Sequence, residues 1–185
     1  MTRPTWDEIH FTSAILWAQR SRDPSSQVGC AIVSEDNVPL SYGYNGPVRG
    51  VEFSDQELKD MPRDEKLMYF EHGERNAIYN AQRTGADLKG ATLYIIGTPC
   101  CDCCRAIIQS GIKCVKVLKS TGDIWAARST WSKSMEASEH MLQAAGVDLE
   151  VVDAHIWGDY DILIGGTEYR LYRGNITKYP EMRTF

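Results

Sequence analysis

The chain has no run of about 18 apolar residues, so nothing in its sequence reads as a membrane-spanning helix. It has no basic excess either. The formal net charge is −5, and no lysine- and arginine-rich stripe of the kind that grips a phosphate backbone is present. That balance counts against a nucleic-acid polymer as partner. It leaves room for a small nucleotide, which needs only one local phosphate pocket. The first 17 residues do not read as a secretory leader either, because Asp7, Glu8 and His10 break up their apolar positions. The cytoplasm is the expected compartment. No internal repeat, low-complexity tract or linker divides the 185 residues. The sequence therefore predicts one domain over 1–185, with a core of about 5–153 and a C-terminal hairpin and tail over 154–185.

Cysteine is scarce and unevenly placed. Four of the six, Cys100, Cys101, Cys103 and Cys104, fall within five residues. Such crowding suits metal ligation better than a disulfide framework. Cys30 and Cys114 lie in apolar stretches and read as core thiols.

The order of elements reads α-β-β-α-β-α-β-α-β. A capping box at Thr5 and Glu8 opens a helix over 5–20, and a turn-rich loop follows over 21–26. Strands are expected over 28–33 and 38–44. A long polar excursion fills 48–70, with one short helix near 55–59; loops of this length in compact domains are often functional. Further helices are expected over 72–83, 100–110 and 130–145, and further strands over 91–97, 113–118 and 147–152. The tail, with Gly165-Gly166 between apolar runs, reads as a hairpin over 161–173. Strands alternating with helices predict an α/β fold with a mixed sheet covered by helices on both faces.

Two short patterns carry the chemistry. His72-Gly73-Glu74 opens one helix, and Pro99-Cys100-Cys101-Asp102-Cys103 opens the next. Each alone is weak; in this order, each at a helix start, they reinforce one another. A catalytic zinc takes three protein ligands and leaves a fourth position for water. Cys100 and Cys103, three apart, share a helix face, and Pro99 suits helix entry. His72 supplies the third ligand. Glu74 sits two residues from it, so both reach one site only at the end of a helix, where free N–H groups and the helix dipole also favour anions. The pairing H-x-E…P-C-x-x-C is the signature of zinc-dependent nucleobase deaminases, in which the glutamate moves protons while activated water attacks the ring. Cys101 and Cys104 form a second C-x-x-C; the register with Cys100 and Cys103 is preferred because Cys100 directly follows Pro99. A structural zinc or redox module is the non-enzymatic alternative, with Cys104 as a fourth ligand.

The sequence resembles the deoxycytidylate deaminases of the cytidine-deaminase-like superfamily over roughly residues 13–118. The likeness rests on Ala18-Gln19-Arg20-Ser21-Arg22-Asp23-Pro24, Gln27-Val28-Gly29, Gly43-Tyr44-Asn45-Gly46, the segment from His72 to Ile78, Pro99 to Cys103, and Gln109-Ser110-Gly111-Ile112. The resemblance implies a three-layer α/β/α fold with a mixed five-stranded sheet and hydrolytic deamination of dCMP to dUMP. It also implies one catalytic Zn2+ per subunit and a homo-oligomer, commonly a hexamer. Control by dCTP as activator and dTTP as inhibitor would follow, with Mg2+ accompanying the triphosphate. By the same resemblance, Asn45 would contact the sugar or base, the Gly73 amide the pyrimidine and the Thr98 carbonyl the amino group, with Ser21 and Arg22 near the 5′-phosphate. Asn45 is equally a turn residue before Gly46, and Arg22 equally a solvated loop charge. The family usually has Ala where this chain has Gly73, and 119–131 departs from its pattern. Trp125, Trp131 and Trp157 are either base-stacking or core residues; Met135 and Met141 read as core, and His10, His140 and His155 as structural or exposed. Deamination of dCTP or of 5-substituted dCMP is the nearest alternative, and editing of cytosine or adenosine in a nucleic acid is a more distant one.

Overall fold

The computed structural model describes residues 3–128, 132–172 and 175–179. In chain order the elements are α1 (Trp6–Ala18), β1 (Gly29–Val33), β2 (Pro39–Tyr44), β3 (Gly46–Pro47), α2 (Asp55–Asp60), α3 (Arg63–Tyr69), β4 (Phe70–Glu71), α4 (Gly73–Thr84) and β5 (Thr92–Ile95). They continue with α5 (Cys101–Gln109), β6 (Cys114–Leu118), α6 (Lys119–Ala126), α7 (Ser132–Ala144), β7 (Asp148–Val152), β8 (Asp159–Ile164), β9 (Thr167–Tyr172) and β10 (Asn175–Lys178). Among the described residues no helix is long and apolar enough to cross a membrane.

The main sheet is mixed and five-stranded, in the order β2-β1-β5-β6-β7. β1 runs antiparallel to β2 and β5, while β5, β6 and β7 are parallel. β1 is buried at every position, as a strand covered on both faces requires. One apolar cluster joins Ile32, Leu93, Val115 and Val117 to Ala77, Ala81, Ile107 and Leu142 of α4, α5 and α7. The opposite face packs Ala31, Val33, Tyr94 and Ile96 against Phe11, Ala14 and Ile15 of α1. Ile162, Ile164 and Leu171 of the C-terminal meander β8-β9-β10 extend that second cluster. The layers are therefore helix, sheet and helix, with a small extra sheet sharing the α1 side.

Local sequence explains most boundaries. The Thr5 and Glu8 capping box starts α1, with both reciprocal hydrogen bonds formed. Ser54 and Glu57 do the same for α2. Two helices exceed the sequence expectation. α3 follows α2 inside the 48–70 excursion, and α6 occupies part of 119–131. The part of the expected helix over 130–145 that precedes Ser132 lies outside the described residues.

Candidate active site

α4 is fastened to β2 before it reaches the site. Asn76 Nδ2 donates to the Tyr44 carbonyl at 2.8 Å, Asn80 Nδ2 to the Tyr42 carbonyl at 2.8 Å, and Ser41 Oγ to the Ala77 carbonyl at 2.7 Å. The helix start lies so close to the sheet that a Cβ on Gly73 would come within 3.2 Å of the Val28 carbonyl oxygen. Gly73 therefore relieves a tight contact at the place where the resembling family usually carries Ala.

His72 and Cys100 both occupy N-cap positions, with extended backbone, at the starts of α4 and α5. Cys103 lies in the first turn of α5. The three side chains meet: His72 Nδ1 is 3.4 Å from Cys100 Sγ and 3.4 Å from Cys103 Sγ, and all three ligand atoms lie within 4.8 Å of one another. In tetrahedral zinc sites, with Zn–S of about 2.3 Å and Zn–N of about 2.0 Å, such atoms stand roughly 3.5 Å apart. One imidazole and two thiols at these separations fit zinc, with three protein donors rather than four. Among the described residues this is the one cluster of three potential metal ligands that the fold assembles.

The other cysteines point elsewhere. Cys104 is fully buried between α5 and α7, its thiol donating to the Ser138 carbonyl at 3.4 Å. Cys101 is partly exposed, and its amide donates to Ser134 Oγ at 3.0 Å. Cys30 is buried, with its thiol on the Gly73 carbonyl at 3.1 Å.

The metal-free groups perturb one another strongly. Burial works to lower the His72 pKa, but the hydrogen bond to Cys100 and the Glu74 charge outweigh it and hold it at about 9. The Cys103 hydrogen bond, supported by His72, takes Cys100 down to about 4 against the effect of burial. The Cys100 contact and burial push Cys103 well up. Without metal the trio is an imidazolium, a thiolate and a thiol. Burial raises the Glu74 carboxyl pKa, with the His72 cation pulling the other way; a carboxyl tuned upward in a cleft suits proton transfer near neutral pH.

His72, Glu74 and Cys100 line a cleft together with Asn45, Thr98, Val28, Phe70, Trp125 and Met135. Asp23, Ser25, Ser26, Arg63, Lys66 and Arg128 form its polar part. Asn45 is heavily used: its Oδ1 accepts from the Val28 amide at 2.7 Å, and its Nδ2 donates to the Ser26 carbonyl at 2.8 Å and to Asp23 at 3.3 Å. Asp23 also accepts from the Ser25 and Ser26 amides, at 2.7 and 3.1 Å, and from Lys66 Nζ at 2.7 Å. Gly73 is buried beside the cleft without lining it.

Sequence reasoning and structure part company at the cleft mouth. Ser21 and Arg22 do not line it. Ser21 is buried, and its hydroxyl accepts from the Asp23 amide. Arg22 is drawn away, donating to Asp55 at 2.7 Å and to the Phe53 carbonyl at 2.6 Å. Met135 lines the cleft, whereas Met141 packs on the core as expected. Trp125 reaches the cleft, Trp157 sits against α1 through Thr12, and Trp131 lies outside the described residues. His10 is buried between Trp6 and Tyr94. Arg63, Lys66 and Arg128 had no motif to announce them.

A family profile described as "Cytidine and deoxycytidylate deaminase zinc-binding region" matches residues 4–119. The chain belongs to this family. A mouse (Mus musculus) deoxycytidylate deaminase is 43% identical over 113 residues, 58% of this chain and 61% of that protein. A probable deoxycytidylate deaminase of Drosophila melanogaster is 37% identical over 153 residues, 77% of this chain and 70% of its own. The match thus spans less than two thirds of the mouse protein's length. Among solved structures, dCMP deaminase from the cyanophage S-TIM5, in complex with dCMP and dUMP, superposes with a TM-score of 0.61. It is 22% identical and covers 82% of this chain and 100% of its own. At that identity the likeness speaks for the fold: the cytidine-deaminase-like sheet with helices on both faces. The family's zinc-binding region contains His72, Cys100 and Cys103 within its matched span.

Proposed function

We propose that this protein hydrolyses dCMP to dUMP and ammonia. One observation carries the reading: two members of the three-donor cluster His72, Cys100 and Cys103 line the same cleft as the buried carboxyl group of Glu74. The family match and the deoxycytidylate deaminases among its relatives support the substrate class.

His72, Cys100 and Cys103 would hold the zinc. When bound, the ion supplies the Lewis acidity that makes water a nucleophile near neutral pH. Glu74 accepts a proton from the water that adds to C4 of the pyrimidine and delivers it to N3. It then shuttles the second proton to the exocyclic nitrogen, the C4–N bond breaks, and ammonia leaves as the C4 carbonyl forms. The Thr98 carbonyl orients the amino group. Asn45, with Asp23, holds the Ser25–Ser26 rim against the sugar side.

We read the chain as one deaminase domain, since the meander shares an apolar cluster with α1 and the main sheet. Self-association is part of the same reading: Trp6, Leu16, Met68 and Val151 are each more than half exposed, a pattern suited to subunit contact. Control by dCTP and dTTP with Mg2+, and a cytoplasmic location, rest on the family resemblance.

Glu74→Gln tests the central claim. The variant should keep its zinc and its circular dichroism and lose about 10²- to 10⁴-fold in ammonia release, the usual worth of general acid–base catalysis. Turnover at the wild-type rate would refute the role of Glu74 and, with it, the enzymatic reading of the cluster.

A further inference from the structure

The β8–β9 turn lies 65 residues beyond Cys100 in sequence and outside the family-matched span of residues 4–119, yet it grips the cleft rim. The Gly166 amide donates to the Ser25 carbonyl at 2.7 Å, and the Gly165 amide donates to Ser26 Oγ at 2.8 Å. Behind them the Gln27 amide donates to the Leu163 carbonyl at 2.7 Å, and the Leu163 amide to Gln27 Oε1 at 3.2 Å. Segment 25–27 is thus bonded to the turn almost as an added strand, and Ser25 and Ser26 line the cleft.

The same turn seats a cation. A Cβ placed on Gly165 would fall 1.0 Å from Nη1 of Arg128. The guanidinium therefore lies on the bare glycine backbone, with its carbon 5.4 Å from the Trp125 ring centre. Arg128 and Trp125 both line the cleft. Among the described residues no carboxylate forms an ion pair with Arg128, whereas the Lys66 charge is already met by Asp23 at 2.7 Å. Arg128 Nε is buried with no hydrogen-bond partner among the described residues. A cation held over an aromatic face, with no carboxylate paired to it among the described residues, suits a phosphomonoester dianion.

We propose that the Gly165–Gly166 turn is a positioning element of the nucleotide site, fixing the Ser25–Ser26 rim and seating Arg128 so that its guanidinium meets the 5′-phosphate. This rests on the deaminase reading above and adds how a nucleotide is told from a nucleoside. Gly165 is the positioning residue; Arg128 is the specificity-determining one.

The two glycines supply their own control. Both have left-handed backbones, φ +59° at Gly165 and φ +76° at Gly166, but a Cβ on Gly166 meets nothing within 4 Å. Gly165→Ala and Gly166→Ala therefore share a similar backbone penalty, and only the first collides with Arg128. Ammonia release is measured with dCMP and with deoxycytidine for wild type, both alanine variants, Arg128→Gln, and Gly165→Ala combined with Arg128→Gln. Gly165→Ala and Arg128→Gln should each lose about 10- to 100-fold in kcat/KM on dCMP, chiefly through KM, as loss of a charged hydrogen bond does. Both should be near wild type on deoxycytidine. Gly166→Ala should leave the preference for dCMP intact, and Gly165→Ala should cost no further preference once Arg128 is gone. Equal losses on the two substrates, or a Gly165→Ala effect on preference that persists without Arg128, would overturn the proposal alone. A wild-type protein that releases no ammonia from dCMP would overturn the deaminase reading and this inference with it.

Discussion

Replacing Asp23 by Ala removes the anion at the centre of the cleft mouth, and the structure predicts an asymmetric cost. Asp23 and Lys66 are joined at 2.7 Å, with side chains only 10% and 8% exposed. Deleting one member of a buried pair strands the other; the usual penalty is about 3–5 kcal/mol. The two deletions are not equivalent here. Without Asp23, the Lys66 ammonium keeps only the Ser25 hydroxyl at 3.5 Å and the face of Phe70 at 5.4 Å. Without Lys66, the Asp23 carboxylate still accepts from the Ser25 and Ser26 amides and from Asn45. Asp23→Ala should therefore cost the full ~3–5 kcal/mol, and Lys66→Met about 1–2 kcal/mol, since the remaining donors still solvate the anion. At roughly 2–4 °C per kcal/mol for a chain of this size, Asp23→Ala should lower Tm by about 6–20 °C and Lys66→Met by about 2–8 °C. Urea titration at matched protein concentration checks both, and the double variant closes the cycle. Equal losses for the two single variants, or strictly additive losses in the double, would show that the pair is not the buried unit described.

Three further outcomes follow from the cluster. Cys103→Ser should abolish stoichiometric zinc by metal analysis, while Cys101→Ser and Cys104→Ser should retain it, with Cys104→Ser about 1 kcal/mol less stable for its lost packing in a filled core. Chelation should remove ammonia release, and added Zn2+ should restore it. Because His72 sits at about 9 and Cys103 is pushed up, zinc must displace a proton from each at pH 7. Zinc uptake should therefore release about two protons, with affinity rising on the order of 100-fold per pH unit up to about pH 9; titration in buffers of different ionisation enthalpy measures this, and a pH-independent affinity would contradict the assigned protonation states.

The parts of the fold written in local signals were readable in advance. Pro99 ahead of Cys100, the Thr5 and Glu8 box and the Gly165-Gly166 punctuation each fixed a boundary that the structure also has. α6 had no such signal. Its sequence, KSTGDIWA, carries an internal Gly122 and no side-chain cap, so tertiary packing, including Trp125 against Gly97, decides it. Lys66 illustrates the other limit. In a polar segment a lysine reads as solvated, and only the fold brings it to Asp23, 43 residues away. Arg22 shows the converse: the resemblance places it near the phosphate, and here its guanidinium pairs with Asp55 of the excursion. Contacts between distant segments leave no periodicity to read.

At the starts of α4 and α5 the residue that ordinarily shields exposed backbone amides is a histidine in one case and a cysteine in the other, and neither makes a side-chain capping bond. Apart from the Cys101 amide, which donates to Ser134 Oγ, the first-turn donors of the two helices are thus not taken by their N-cap side chains. Their summed field is positive where an oxyanion would develop on a substrate. In the apo protein the same amides should be the first of each helix to exchange with deuterium.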